Sequence, residues 1–226
     1  MTSPREPSPS PSPAPKAPSS GRADELPAPN HHADHEGFSG IKGLLSALTM
    51  LVGRRADAEL AVERTGTGPG DHVVDVGSGP GSTARRAARA GARVTGVEPA
   101  PVMRDLARRL SRRTAPGSVE YVAGTAEALP LDDGAATVLW SVATVHHWQD
   151  VDAGVAEAYR VLAPGGRLLV GERRISPGAT GLASHGWTDD QAASFGAHLT
   201  RAGFTDVEID RVHAGRPMLV VTARRP

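Results

Sequence analysis

The spacing of hydrophobic and polar positions changes along this chain, and each spacing predicts a different element. Apolar side chains recur at helical intervals over residues 41–52, and residues 56–64 continue as a second short helix. Short apolar runs predict buried strands at residues 72–76, 93–97, 119–122, 136–142 and 167–170. Segments with a polar face predict helices between them, at residues 82–91, 102–113 and 151–162. Beyond these, Thr188 and Gln191 have the spacing of a capping box that opens a last helix, and two final strands follow at residues 207–209 and 218–222.

The alternation of apolar strands with amphipathic helices predicts an α/β fold with a mainly parallel sheet. In such sheets the ligand lies beyond the carboxyl ends of the strands, where the chain direction splits. Candidate functional residues are therefore expected where these strands end.

The first thirty residues differ in composition from the rest, because they hold nine of the 19 prolines, separated mainly by serine and alanine. Such a stretch has few apolar side chains to bury. We therefore expect a disordered tail over residues 1–30, an N-terminal helical cap segment over residues 31–66 and the main α/β domain over residues 67–226.

Composition excludes several classes of protein. The 25 basic and 25 acidic side chains balance, which argues against binding to nucleic acid or to an anionic membrane. The chain has no cysteine, so disulfides, thiol nucleophiles and zinc–thiolate sites are excluded. No apolar run follows a basic start as in a secretory signal, and the most apolar stretch, residues 43–52, is about half of a membrane span. These features predict a cytoplasmic protein.

The end of the first strand carries the strongest chemical signal. Asp75 is followed by Gly77, Gly79 and Gly81, and such glycines allow the backbone to bend and approach a ligand before a helix N-terminus. A carboxylate at Asp75 attracts an ammonium or sulfonium group and repels a pyrophosphate. Glu98 ends the second strand and can accept hydrogen bonds from the hydroxyls of a ribose. A ligand with a ribose and a cationic amino-acid arm satisfies both acids.

Four motifs in this order resemble the class I S-adenosylmethionine-dependent methyltransferases, in particular the small-molecule group named methyltransferase type 11. They are the glycine loop at residues 74–81, then residues 124–130, 146–148 and 160–166. The resemblance implies a Rossmann-like, seven-stranded, mainly parallel sheet with helices on both faces and the last strand antiparallel. It also implies S-adenosyl-L-methionine as the cofactor and a small-molecule methyl acceptor as the substrate.

The resemblance assigns cofactor contacts to individual positions. Asp75 and the glycine loop line the methionine arm, Glu98 holds the ribose, Thr125 and Ala126 flank the adenine, and Ser141 lies near the sulfonium. The family often has Asp where this chain has Thr125, so we expect a weaker contact with the adenine. The full set of cofactor-binding residues implied is Asp75, Gly77, Ser78, Gly79, Glu98, Pro99, Thr125, Ala126, Glu127 and Ser141.

Histidines supply the candidate catalytic groups. His146 and His147 follow the fourth strand on the ligand side of the sheet, and an imidazole can accept a proton near neutral pH. The alternative is that one packs under the loop and the other is solvated. Methyl transfer often needs no base, since the sulfonium is already activated. His31, His32 and His35 have no matching acid or cysteine spacing, so no metal is expected there.

The acceptor pocket is expected at the same mouth. Residues 173–187 form a long glycine- and proline-containing loop with His185 and Trp187 near its end. Together with His146 and with Phe38 of the N-terminal segment, these side chains are predicted to bind the acceptor and exclude water. The alternative for Trp187 is that it caps the core beneath the last helix.

Two other functions remain open at the level of sequence. A non-catalytic protein that binds the cofactor or its product, S-adenosylhomocysteine, would use the same loop. An NAD-dependent oxidoreductase is disfavoured, because its fingerprint needs glycine where this chain has Ser82, and because Asp75 precedes the loop.

Overall fold

The structure is a computed structural model that describes residues 26–32, 55–114 and 116–226. Residues 1–25 of the predicted tail, His35, Phe38 and the predicted helix at residues 41–52 lie outside the described residues. The division of the chain into tail, cap segment and main domain thus stays a prediction.

Strands and helices alternate through the described part. The strands are β1 (His72–Val76), β2 (Arg93–Val97), β3 (Ser118–Val122), β4 (Ala136–Val142), β5 (Leu162–Arg173), β6 (Thr205–His213) and β7 (Pro217–Arg224). The α-helices are α1 (Arg55–Thr65), α2 (Ser82–Arg89), α3 (Pro101–Ser111), α4 (Val151–Val161) and α5 (Asp189–Arg201). Two 3-10 turns are Val145–His147 and Gly181–Ser184.

One seven-stranded sheet has the order β3-β2-β1-β4-β5-β7-β6. Strands β1 to β5 pair in parallel, and β7 is antiparallel to both β5 and β6. This confirms the predicted fold class, including the antiparallel last strand. The chain runs outward from β1 to β3 and then returns to β4 on the other side of β1, so the direction splits between β1 and β4. That is the place where α/β sheets of this kind bind ligands.

Helices cover both faces of the sheet. On one face α4 and α5 contribute Val155, Ala158, Phe195 and Leu199 to a buried cluster. On the other face α1, α2 and α3 contribute mainly alanine, whose small side chain lets the helices approach the sheet closely. No helix among the described residues is long and apolar enough to cross a membrane.

The predicted capping box opens α5. The Thr188 hydroxyl accepts a hydrogen bond from the backbone N–H of Gln191, and the Gln191 side chain accepts one from the backbone N–H of Thr188. These two bonds satisfy donors that the first turn of a helix leaves without a partner. The helix therefore begins where the sequence predicts.

Residues 26–32, here named the strap, lie against the domain. The indole Nε1 of Trp187 donates to the carbonyl of Pro29 at 2.8 Å, and the amide of Asn30 donates to the carbonyl of Trp148 at 3.1 Å. Residues 26–30 fall within the predicted tail, so the packed part of the chain begins earlier than composition suggests. The proline content of a segment indicates a stiff backbone. It does not show whether a carbonyl of that segment accepts a hydrogen bond from a buried indole, as Pro29 does from Trp187.

Candidate functional site

The glycine loop after β1 uses its three glycines in different ways. Gly77, Gly79 and Gly81 have φ angles of 71°, 51° and 77°, which favour glycine. A side chain at Gly77 would come within 2.6 Å of the Thr144 methyl group, and one at Gly81 would overlap the Tyr121 hydroxyl. Nothing stands within 4 Å of the corresponding position at Gly79. Gly77 and Gly81 therefore make room for protein side chains, whereas Gly79 borders open space.

The loop leads into the N-terminus of α2 without a side-chain cap. Gly81 at the N-cap has no side chain to accept from the first turn, so backbone N–H groups remain for a ligand. The Ser78 hydroxyl is buried and has no hydrogen-bond partner among the described residues. A buried donor of this kind fits a site that a polar ligand completes.

Glu98 lies at the end of β2 and is only 7% exposed. Its two carboxylate oxygens accept from the backbone N–H groups of Gly79 and Ala100, each at 2.9 Å. Burial raises the pKa of this carboxyl above its ordinary value, and the two backbone donors oppose that shift. Since a carboxylate offers about four lone-pair positions, two remain for hydroxyl groups of a ligand.

A cavity of about 490 Å³ opens beside Glu98. This volume is within the range of about 300–1,000 Å³ typical of small-molecule sites. The residues that line the cavity come from the ends of β1, β2 and β4 and from two loops: Val76, Gly77, Glu98, Pro99, Ala100, Gly124, Thr125, Ala126, Glu127, Thr144, His147, Trp148, Gln149 and His185.

Six of the ten expected cofactor contacts line this cavity, and four do not. Asp75, Ser78, Gly79 and Ser141 stand outside its lining. Asp75 is only 2% exposed and pairs with Gly96 on β2 and Trp140 on β4. Ser141 is fully buried and its hydroxyl bonds to Thr144, which lines the cavity in its place. Thr144 belongs to none of the sequence motifs, so its position opposite Gly77 is evident only from the folded structure.

Glu127 holds backbone groups as well as lining the cavity. Its Oε1 accepts from the backbone N–H of Gln149 at 2.7 Å, close to the start of α4. Thr125 is exposed, and its backbone forms an isolated β-bridge with Ala128. This bridge fixes the turn on which Thr125 and Glu127 lie. The segment from residue 124 to 127 therefore forms one wall of the cavity.

Arg104 positions the turn that carries Glu98. Its guanidinium donates to the backbone carbonyls of Glu98 and Pro99 at 2.6 and 2.7 Å. The sequence does not single out this arginine, because arginines are frequent along the whole helix. Arg108, one turn further, donates to the carbonyl of Tyr121 at 2.8 Å.

Histidines from separate elements meet at the other end of the cavity. His146 and His147 lie on the 3-10 turn after β4, and His185 lies on the loop after β5. His147 and His185 line the cavity, whereas His146 is buried beside it at 3% exposure. The Nδ1 atom of His146 is 2.9 and 3.0 Å from the two oxygens of the fully buried Glu172.

The surroundings of His147 disfavour its charged form. Burial, together with the charges of His146 and His185, lowers the pKa of His147 to about 4. Its imidazole is therefore neutral near neutral pH. Ring centroids of His147 lie 4.1 Å from those of His146 and 5.4 Å from those of His185.

The strap adds two more histidines to this group. The backbone N–H of His32 donates to the carbonyl of His146 at 2.8 Å, and the His32 ring stacks on His185 with a centroid distance of 4.5 Å. His31 donates from Nε2 to the carbonyl of Ser184 at 2.9 Å. The strap thus lies over the mouth beside His185, the position expected for the N-terminal segment.

Trp187 lies in the core and not in the cavity wall. Its side chain is fully buried, its ring centroid is 5.1 Å from that of Phe195, and it is absent from the cavity lining. The hydrogen bond from Nε1 to the carbonyl of Pro29 holds the indole under the strap. Of the two interpretations open from the sequence, the core role is the one that this geometry supports. Trp148, adjacent to the histidines, lines the cavity instead.

The sheet order and the place of the cavity at the strand ends are those of a Rossmann-like methyltransferase fold. Residues 74–170 match the family model described as a methyltransferase domain. These residues are therefore similar to the class I S-adenosylmethionine-dependent methyltransferases, as the motifs predict.

Known proteins share this domain over part of their length. The chain is 34% identical over 140 residues to a malonyl-[acyl-carrier protein] O-methyltransferase of Serratia marcescens, covering 62% of this chain and 52% of that protein. It is 34% identical over 112 residues to a demethylmenaquinone methyltransferase of Tropheryma whipplei, covering 50% of this chain and 46% of that protein. The chain therefore spans about half the length of these curated relatives.

A solved structure shares the fold. A SAM-dependent methyltransferase from Aquifex aeolicus superposes with a TM-score of 0.65 at 18% identity, covering 80% of this chain and 98% of that chain. At this identity the similarity concerns the fold alone.

Proposed function

We propose that this protein is an S-adenosylmethionine-dependent methyltransferase that transfers a methyl group to a small organic acceptor. The observation that carries the proposal is the cavity of about 490 Å³ that reaches from the Glu98 carboxylate to His147 and His185. One end suits a ribose, and the other offers the imidazole nitrogens of two histidines. The match over residues 74–170 and the names of the two relatives, which include small organic groups, support the same assignment.

The residues at the glycine-loop end fit the cofactor. Glu98 retains lone pairs for two ribose hydroxyls, and Pro99 and Ala126 provide apolar surface beside it. Because Gly79 has no side chain, a ligand can approach the backbone of the loop closely. The N-terminus of α2 has no side-chain cap and offers backbone N–H donors to the ligand. When bound, S-adenosylmethionine supplies an electrophilic methyl group on a sulfonium centre.

The residues at the histidine end fit an acceptor. His147 and His185 can hydrogen-bond to a nucleophilic group, and Trp148 covers part of the cavity and excludes water. The bound cofactor would supply the methyl carbon as an electrophile and its sulfur would keep the electron pair, while His147 and His185 would orient the nucleophilic group of the acceptor towards that carbon. A proton lost from the acceptor can pass to a neutral imidazole at this end of the cavity. His147 thus retains its proposed catalytic role, whereas His146 is buried beside the cavity and does not line it.

Isotope transfer tests the function. The full chain is incubated with S-adenosylmethionine that carries a deuterated methyl group, together with a size-fractionated extract, and the products are analysed by mass spectrometry. We expect the label in the small-molecule fraction, and its loss with the Glu98→Ala variant. Label confined to the protein or nucleic-acid fraction would contradict a small acceptor.

The same experiment separates the second candidate function. Binding of the cofactor without transfer of label to any fraction would favour a non-catalytic S-adenosylmethionine-binding protein. The geometry favours transfer, because the cavity continues past the cofactor end to a group of side chains that a binder of the cofactor alone does not need.

A further inference from the structure

Three imidazoles at the cavity end are placed as a set of metal ligands. One nitrogen atom of each of His146, His147 and His185 lies within 4.8 Å of the other two. Three nitrogens that share one zinc ion lie about 3.4–3.6 Å apart, because each Zn–N bond is about 2.1 Å long. Small side-chain rotations therefore bring the three nitrogens onto one ion.

The hydrogen bonding of His146 is that of a metal ligand. Its Nδ1 faces the carboxylate of Glu172 at 2.9 Å, and the Glu172 side chain is fully buried. A carboxylate that accepts from Nδ1–H fixes the tautomer with a proton on that atom, which leaves the lone pair on Nε2. Carboxylate–histidine pairs of this kind orient the imidazole and raise its basicity towards a metal.

The backbones that carry the three histidines are held in place. Ala143, just before the histidine turn, has a φ of 56°, and its N–H donates to the carbonyl of Gly171 at 2.7 Å. The His185 carbonyl accepts from Nε of Arg173 at 2.9 Å, and the same guanidinium binds the carbonyls of Leu182 and Ala183. The positive φ of Ala143 is a strained conformation that persists only where the surrounding structure fixes it, and the three hydrogen bonds of Arg173 fix the loop that carries His185.

We propose that His146, His147 and His185 bind one divalent transition-metal ion, zinc by preference, with Glu172 as the hydrogen-bond partner of His146. Three imidazoles without thiolates suit zinc and its first-row neighbours better than calcium or magnesium, which prefer oxygen ligands. Three protein ligands also leave a coordination position open. Because His147 and His185 line the cavity, that position is at the acceptor end, where an oxygen atom of a ligand can complete the coordination. The metal site goes beyond the proposed function: with the ion bound, His147 and His185 would hold the ion that faces the acceptor instead of taking up the acceptor's proton.

Cobalt substitution tests the site directly. The full chain is prepared without an affinity tag, because a histidine tag would bind the probe, and is freed of metal with a chelator. Titration with Co²⁺ alone is followed by visible absorption. We expect the d–d bands of a low-coordinate Co²⁺ site at one ion per chain, and their disappearance when Zn²⁺ is added. A spectrum of hydrated Co²⁺ throughout the titration would overturn the proposal.

Variants assign the ligands. His147→Ala and His185→Ala are each expected to weaken Co²⁺ binding at least 100-fold, and Glu172→Gln to weaken it by about 10- to 100-fold. His213→Ala, which changes an exposed histidine on β6, is the matched control and is expected to bind as the parent does. Unchanged binding in the His147→Ala and His185→Ala variants would refute the ligand set.

Two further measurements keep the test decisive. Circular dichroism shows whether each variant is folded. If only Glu172→Gln fails to fold, Co²⁺ binding by the His147→Ala and His185→Ala variants still tests the ligand set. Calorimetry with S-adenosylhomocysteine on the metal-free chain reports the cofactor end separately. A chain that binds S-adenosylhomocysteine but no Co²⁺ would refute the metal site and would not contradict the proposed function.

Discussion

Individual residues divide into those that a strand-end pattern predicts and those that only the fold brings in. Glu98 is predicted because an acid follows a buried strand at the spacing expected of a ribose acceptor, and the structure places it in the cavity wall. Thr144 and Arg104 act on the same site through contacts that depend on packing between elements. Trp187 was ambiguous because a large apolar ring serves a pocket or a core equally well.

Glu98 provides a direct prediction at the residue scale. Glu98→Ala removes a buried charged acceptor and also releases the N–H groups of Gly79 and Ala100. We expect the affinity for S-adenosylhomocysteine to fall by about 1–3 kcal/mol, at least roughly fivefold, in calorimetry. Glu208→Ala, at an exposed position on β6, is the control. An affinity equal to that of the parent would show that Glu98 does not hold the ribose.

His72 predicts a pH dependence of stability. It is 7% exposed at the start of β1, and burial lowers its pKa below the ordinary value of 6.5. As the pH falls below about 6.5, the unfolded chain takes up a proton that the folded chain resists. The free energy of unfolding therefore decreases with falling pH, by at most about 1.4 kcal/mol per pH unit from this group.

Urea unfolding between pH 5 and 8 measures this effect. His72→Asn keeps a donor towards the carbonyl of Ala135, which the Nδ1 of His72 contacts at 2.6 Å. The variant is expected to lose stability less steeply than the parent below pH 6.5. Parallel curves for the two proteins would assign the pH dependence to other groups.

At the scale of elements, sequence signals were strongest where a local rule applies. The capping box at Thr188 is such a rule, and α5 begins at Asp189 as expected. Strand β5 runs from Leu162 to Arg173, well beyond the apolar run at residues 167–170. Residues 171–173 at its end were missed because pairing with β7, and not hydrophobicity, holds them in the sheet.

Removal of the Thr188 side chain tests how much the capping box of α5 contributes to the free energy of unfolding. Thr188→Ala leaves the backbone N–H of Gln191 without its acceptor, so the free energy of unfolding is expected to fall by about 0.5–2 kcal/mol in urea titration. Thr180→Ala is a matched control, because Thr180 precedes the turn Gly181–Ser184 without a side-chain cap bond. If both variants lose the same stability, the capping box does not stabilise the helix.

At the scale of the whole molecule, the sequence predicted the architecture, but it did not predict which distant segments lie together around the cavity. Alternating strands and helices predict an α/β sheet, and the motifs resemble those of the class I methyltransferases. The contact between the strap and the domain joins residues separated by 158 positions, such as Pro29 and Trp187, and no local pattern reports it. Likewise, the histidines that meet at the cavity end come from three distant segments.

Truncation tests the strap. A chain that begins at residue 26 keeps the bonds from Trp187 to Pro29 and from Asn30 to Trp148, whereas a chain that begins at residue 33 loses them. Since each hydrogen bond contributes about 0.5–1.5 kcal/mol, the second chain is expected to melt at a lower temperature than the first by several degrees. Equal melting temperatures would show that the strap does not stabilise the domain.

The central claim is that the cavity at the ends of β1, β2 and β4 binds S-adenosylmethionine. Isothermal titration calorimetry of the full chain against S-adenosylmethionine, S-adenosylhomocysteine and NAD tests it most directly. We expect saturable binding of the first two ligands at one site per chain and no heat of binding with NAD. Binding of NAD in the absence of binding by either S-adenosyl compound would contradict it.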